Sequence, residues 1–283
     1  MQNLNLIDSP ASYLTEKYHH VSTESLTKAF IESGFNVAQG YKSSLRQPID
    51  PRLNMATFEK LTLEERELAV NKFMNRMQRY EARKGHEKHF LRFKSGDLAL
   101  RSKENDLFLR ITNSYDGTSS LKVSLDILRL VCMNGLVAPR SMFQLSVSHR
   151  SKNIVQDAIE ASYKIIDRKE KLDEQIDLMK QTVLSSDQKI ILLDEMLKLR
   201  SSEENINALD NLHLLNPKRI EERDDNLWQN FNTVQENMIR GSRVRLLDAE
   251  GRFINKTIRE VKSQTNADTF NEKSWNLAMS LVV

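Results

Sequence analysis

The sequence predicts an α+β fold: an antiparallel sheet with backing helices over residues 35–150, followed by a mainly helical C-terminal half. Three observations predict it. Glycine and proline number only 8 and 5 in 283 residues, under half of ordinary usage, which favours long helices over a loop-rich β-sandwich. Between residues 89 and 147 several segments alternate apolar and polar side chains, as half-buried strands do. From 153 to 200 the apolar spacing changes to the 3.6-residue period of helices.

Each element has a local reason. Residues 22–34 read as a helix, with Ser22 or Thr23 as cap, Leu26, Ala29 and Phe30 on one face, and Gly34 as stop. Phe35 to Lys42 alternates as a strand, and Pro48 and Pro51 mark the loop that follows. Residues 56–84 read as a helix, with Leu63, Leu68, Val70, Phe73, Met74 and Met77 in a stripe and a basic far end. His89–Lys94 and Leu107–Thr112 are strands. Asp116-Gly117 supplies the positive φ of a hairpin turn, and Leu121, Val123 and Leu125 form the returning strand. Residues 126–137 are apolar enough to be core, ending at Asn134-Gly135. Phe143, Leu145 and Val147 alternate in a last strand. Helices then follow through 153–200, broken at Ser185-Ser186-Asp187. Residues 201–225 read as a loop, 225–240 as a helix, 243–256 as a short hairpin, and 270–281 as a final helix. The resulting division is an α+β core at 1–152 with a helical insertion at 56–84, acidic helices at 153–200, and a C-terminal helical region at 201–283.

Charge is segregated along the chain. Residues 61–152 carry 17 basic and 10 acidic side chains, whereas 153–236 carry 11 and 18. A basic stretch suits phosphate or an acidic partner, and the opposed halves can equally neutralise each other.

Many chemistries lack their signature. There is no G-x-x-x-x-G-K-[ST] or G-x-G-x-x-G phosphate loop, no G-x-S-x-G elbow and no H-E-x-x-H pair. One cysteine excludes an internal disulfide and a multi-cysteine zinc module. Cys132, set among Leu130, Val131 and Met133, reads as a buried small hydrophobe. His86 and His89 straddle a helix end and a strand start, so a shared metal is not expected. No catalytic residue, metal or cofactor is assigned, and no enzymatic activity is expected. No apolar run reaches the ~20 residues of a membrane span, and the N-terminus lacks a basic-then-apolar leader pattern. A reducing bacterial cytoplasm is the expected location.

The remaining constellation is basic and aromatic. Lys42, Arg46, Arg92, Lys94, Arg110, Lys122, Arg129, Arg150 and Lys152 are interleaved with Tyr41, Phe93 and Tyr115. Cations tracking phosphates beside aromatic faces that stack bases suit single-stranded nucleic acid. Arg92, Lys94, Arg110 and Lys122 are expected on the exposed face of the sheet, with Tyr115 or Tyr41 stacking. The alternative for Arg129 is a buried pairing with Asp116 or another acid.

Leu107–Val137 (LFLRITNSYDGTSSLKVSLDILRLVCMNGLV) resembles a signature of the phage and plasmid family called domain of unknown function 932. The matching positions are Asn113, Ser114, Asp116, Gly117, Ser119, Ser120, Arg129, Val131, Cys132, Asn134, Gly135 and Leu136, with Tyr115 where the family usually has His. Further similarity lies at Tyr41–Arg46, His89–Lys94, Val147–Arg150 (with His149), Asp225–Trp228 and Val234–Gly241 (with Asn237). The similarity covers residues 18–47 and 88–241 in broken form, and the 56–84 helix looks like an insertion. The resemblance implies a mobile-element lineage, in which accessory proteins serve DNA replication or recombination or block host defence. The expected function is therefore a non-enzymatic, self-assembling, single-strand binding or annealing factor. The rival expectation is a protein-binding inhibitor of a host defence or recombination enzyme, motivated by the acidic segment with Asp173, Glu174 and Asp177.

Overall fold

The computed structural model describes residues 4–43, 45–98, 105–129, 134–137, 140–201, 206–248 and 250–282. The chain is α+β, as expected. It forms two compact units, neither contiguous in sequence. The first comprises Met1–Phe93, Ile111–Lys122 and Ser146–Glu160; the second comprises Lys94–Arg110, Val123–Leu145 and Ala161–Val283.

In the first unit, α1 (Thr23–Glu32) starts where the Ser22 hydroxyl accepts from the Ser25 amide at 2.9 Å. This satisfies one of the amides every helix start leaves open. Gly34, at φ +89°, turns the chain into β1 (Asn36–Lys42). Phe30 is fully buried and stacks on Phe93 at 4.9 Å.

The expected helix at 56–84 is two helices. A single turn, α2 (Met55–Phe58), precedes α3 (Leu63–Arg83). The break has a cause: Thr62 and Glu65 form a reciprocal capping box, 2.8 and 3.3 Å, which begins a new helix. None of the 21 residues of α3 is buried.

The sheet strands are β2 (His89–Lys94), β3 (Asn105–Asn113), β4 (Leu121–Arg129), β5 (Asn134–Val137) and β6 (Gln144–Val147), with β1. The order is β1-β2-β3-β4-β5, with β6 also pairing with β4. β4 and β5 are antiparallel, Asp126 opposite Val137 and Arg129 opposite Asn134. The 126–137 stretch thus contains two paired strands. Residues 130–133, with Cys132, lie outside the described residues. The expected 143–147 strand begins later, because Arg140–Phe143 is a helical turn, α4.

In the second unit, α5 (Ile154–Ile166, shared with the first unit), α6 (Lys169–Gln181) and α7 (Ser186–Arg200) realise the helical periodicity. Ser185 and Gln188 form another capping box at the break. Next come α8 (Leu227–Arg240), the hairpin β7 (Ser242–Leu247) and β8 (Phe253–Ile258), and α9 (Gln264–Ser280). α9 starts six residues before the expected helix, because the Ser263 hydroxyl caps it through the Asn266 amide. α8 ends at Gly241, φ +88°, where an added Cβ would lie 2.6 Å from the Ile258 carbonyl oxygen. Only glycine fits there. Trp228, Phe231 and Trp275 form the unit's aromatic core, with ring centroids 6.0–6.3 Å apart. Burying each side chain of this size contributes about 1.5–3 kcal/mol.

Candidate nucleic-acid interface

The serine-rich turn between β3 and β4 is a clasp. It is a seven-residue connection, Ser114–Ser120, rather than the tight hairpin expected from Asp-Gly. Asp116 is buried. Its Oδ1 accepts from the Thr118 amide (3.1 Å) and hydroxyl (2.5 Å), and its Oδ2 accepts from Arg83 Nε at 2.8 Å. Arg83, from the end of α3, thus takes the role weighed for Arg129, whose side chain lies outside the description. Gly117 holds φ +67° at the bend. Asn113 Oδ1 accepts from the Ser114 amide while its Nδ2 donates to the Val21 carbonyl. Ser114 Oγ bridges to Ser119, donating to its carbonyl and accepting from its amide.

The turn's outward carbonyls hold the N-terminal segment. Ala11 donates to the Tyr115 carbonyl (2.8 Å), the Tyr13 hydroxyl to that of Asp116 (2.8 Å), and the Tyr18 hydroxyl to that of Ser114. Asn113 and Ser114 therefore spend their side chains on backbone geometry, and Asp116 ties the turn to Arg83 and Thr118.

Tyr115 points inward. It is 1% exposed, so its expected role as a base-stacking ring is corrected. Its hydroxyl accepts from the Thr23 amide (2.5 Å) and pairs with Thr23 Oγ1 (2.6 Å), which meets His89 Nε2 at 2.9 Å. His89 Nδ1 meets the Glu87 carbonyl at 3.1 Å. With His89 neutral, one set of protons satisfies the whole chain: Tyr115 donates to Thr23, Thr23 to His89, and His89 to Glu87. Burial pushes the His89 pKa down to about 4, which keeps it neutral. His20 meets Tyr115 edge-on at 4.4 Å and bonds Asp8 at 3.0 Å. His149 stacks on Tyr18 at 4.4 Å and bonds the His19 carbonyl; burial lowers its pKa too. Sequence reading missed Asp8, Tyr18, His20 and Thr23, because their meeting is a matter of tertiary placement. Among the described residues no group of three or more His, Cys, Asp or Glu could hold a metal ion.

The basic residues divide. Arg110 is 1% exposed, so its placement on an exposed face is corrected. Its guanidinium grips Asp268 of α9 bidentately, 3.1 and 2.9 Å, and meets Ser124 and Asp126 at 3.3 Å. Phe93, read as an interleaved aromatic, is fully buried against Phe30. Lys94 is exposed, bonds Asp106 at 2.6 Å and lies over Phe108 at 4.9 Å. Lys122 is half-buried, and Arg46, Arg150 and Lys152 are exposed.

One group of the first unit comes together on β1 and β2. Tyr41 and Phe90 stack at 4.8 Å with 16° between their planes. Arg92 lies over Tyr41 at 5.3 Å, and Lys88 over Phe90 at 5.6 Å. Arg92 also donates to Gln39 Oε1 at 3.2 Å. Exposed Lys42 lies on the other side of β1 from Tyr41, 3.8 Å from Glu87. The alternation of strands explains it: Lys88, Phe90 and Arg92 share one side of β2, as Gln39 and Tyr41 share one side of β1. Lys88, Phe90 and Gln39 were not singled out in the sequence, although the same period-2 reading reaches them.

In the second unit, Trp228 belongs to the aromatic core, and Asn237 donates to the Leu214 carbonyl at 2.9 Å, bracing backbone. Asn134 and Gly135 lie on β5. Asp173 is buried in α6, whereas Glu174 is exposed.

Fold and site together describe an α+β protein with a clasped serine-rich turn and a cation–aromatic group in which Phe90 is buried and Tyr41, Lys88 and Arg92 are half-buried. Residues 50–273 match the family described as domain of unknown function (DUF932), and the chain belongs to that family. The match begins after the Tyr41–Arg46 segment and continues past residue 241, where the resemblance had been placed to end. The chain is 27% identical over 200 residues to the UPF0380 protein YfjQ of Escherichia coli (strain K12), covering 71% of each. It is 26% identical over 200 residues, again 71% of each, to the UPF0380 protein YafZ of the same organism. No solved structure matches the chain. Among the described residues no helix is long and apolar enough to cross a membrane.

Proposed function

We propose that this protein is a cytoplasmic, mobile-element DNA-associated factor that binds single strands without cleaving them, as in strand protection or annealing. The observation that carries the reading is the Lys88–Phe90–Tyr41–Arg92 group, with cations placed over two parallel rings. Cationic groups on an aromatic platform offer phosphates a counter-charge and a base a face to stack on. Arg92 and Lys88 would contact phosphates, exposed Arg46 would extend the track, and half-buried Tyr41 takes the stacking role that Tyr115 cannot; Lys42, on the other side of β1, drops out. Arg110 drops out of the proposed contact set.

The test is fluorescence anisotropy with labelled single- and double-stranded oligonucleotides across a salt series. Single-strand affinity is expected to fall steeply with salt, and Arg92→Ala and Lys88→Ala each to flatten the slope by about one contact. Tyr41→Ala is expected to weaken binding by about 1–3 kcal/mol. No binding to either form at low salt would refute the proposal. The inhibitor reading would then stand on the exposed acids of α6, among them Glu174 but not Asp173, with pull-downs of host nucleases as its assay.

A further inference from the structure

We infer that α3 is a self-association surface that pairs antiparallel with α3 of a second copy of this chain. The first observation is apolar surface in an unusual place. Among the described residues, twelve large hydrophobic side chains are more than half exposed, and six of them, Ile49, Leu53, Met55, Leu63, Leu68 and Met74, fall between residues 49 and 74. Such clustering on a folded chain marks a surface meant to be covered.

The second observation is the helix itself. α3 runs about 31 Å at helical rise, and none of its residues is buried. Its main neighbour is the Pro51–Leu53 turn at its start. Arg66 ties the α2 turn back onto it, donating to the Phe58 and Glu59 carbonyls. Its far end is held by Arg83 on Asp116. Between these anchors exposed Leu63 and half-buried Val70 and Met77 recur every seven residues, with Arg66, Phe73 and Tyr80, all half-buried, on the adjoining seam position. That is the spacing of a two-helix seam.

The third observation selects the partner and its direction. The first turns carry Glu64, Glu65 and Glu67, and the last turns carry Arg76, Arg79 and Arg83. An antiparallel copy sets each acidic end against a basic end and opposes the helix dipoles; a parallel copy stacks like ends. A two-fold axis between Asn71 and Lys72 places Leu63 opposite Tyr80, Val70 opposite Phe73, and Met77 against the aliphatic stem of Arg66, so the stripe meets itself. Exposed ion pairs contribute little, so the apolar seam supplies affinity and the charges supply orientation.

The experiment is sedimentation velocity on the full chain over a micromolar concentration series, without nucleic acid, so its outcome is independent of DNA binding. The wild type is expected to sediment as a dimer of the 32.8 kDa chain. The Leu63→Lys/Met74→Glu variant is expected to raise the dissociation constant by at least about tenfold. Both positions are exposed, so its thermal melt should match the wild type at concentrations low enough to keep both chains monomeric. A spin label at Glu64→Cys, in a Cys132→Ser background, is expected to report about 25 Å between copies; a parallel pair would give about 10 Å. A monomeric wild type, a dimer indifferent to the double variant, or the short label distance would each overturn the inference. The first of these would leave the face to a different protein.

Discussion

α3 and α8, one in each unit, look alike in sequence and differ in fate. Both have an apolar stripe among charged and amide side chains. α3 has no buried residue, whereas twelve of the fourteen residues of α8 are buried, including Gln229, Asn230, Asn232, Thr233, Gln235, Glu236 and Asn237. A helix buried all round is ordinarily apolar all round. α8 offsets the cost of breaking that rule by pairing many of its polar atoms, the Trp228 indole N–H and Asn232 Oδ1 being exceptions. Asn232 donates to the Trp228 carbonyl, Gln235 to Asn271, and Asn237 to the Leu214 carbonyl. Glu236 accepts two bonds from Arg219, 2.8 and 3.0 Å, and these hold its carboxyl below its ordinary pKa although burial pushes the other way. The difference teaches that polarity alone does not say which helix faces solvent; the availability of partners does.

The comparison is broken hardest where a buried charge loses its partner. Arg110, like α8, is polar and fully enclosed. Arg110→Ala leaves Asp268 and Asp126 buried without their guanidinium, and is expected to cost about 3–5 kcal/mol of stability in urea denaturation. A loss within 0.5 kcal/mol would mean that the ion pair is solvated and that the region resembles the surface of α3 more than α8. Next in size is acid. The His89 pKa is depressed to about 4 in the folded chain against about 6.5 unfolded. The unfolded state therefore binds the proton first. The contribution is fully present above pH 6.5 and is lost as pH falls from 6.5 toward 4, by about 3 kcal/mol in all. The difference in urea midpoint between wild type and His89→Gln, followed from pH 7 to 4, should shrink; a constant difference would remove His89 as the cause.

The same contrast explains how far the sequence could be read. Strands β2, β3 and β4, the capped helices and the Asp-Gly bend were legible because period, caps and positive-φ glycines are local. The sheet face was legible too, but not its cover. Arg92 and Arg110 occupy equivalent alternating positions, yet one lies over Tyr41 and the other is enclosed by Asp126 and Asp268, which are 16 and 158 residues further along. No local pattern connects residue 110 to 268. Thr23 reaching Tyr115, and Arg83 reaching Asp116, were hidden for the same reason. The signature turn was legible as a motif but not as a clasp, since its purpose appears only when residues 11–18 are seen to bond its carbonyls. The units are also assembled from separated segments, which composition along the chain cannot reveal.

Asn237→Ala sharpens the comparison at intermediate size. It leaves the Leu214 carbonyl without its side-chain donor inside a buried helix contact, and is expected to cost about 1–3 kcal/mol. The smallest effect belongs to α3. Leu63→Ser removes a residue that is 77% exposed, and at concentrations low enough to keep the chain monomeric it should change stability by less than about 0.5 kcal/mol. Denaturation repeated across a concentration series distinguishes the two origins of any larger loss. If the wild type gains stability with concentration and Leu63→Ser does not, the apolar face contributes through association, as mass action requires. If Leu63→Ser costs several kcal/mol at every concentration, then α3 is packed against its own chain in the way α8 is, and the contrast between the two helices disappears.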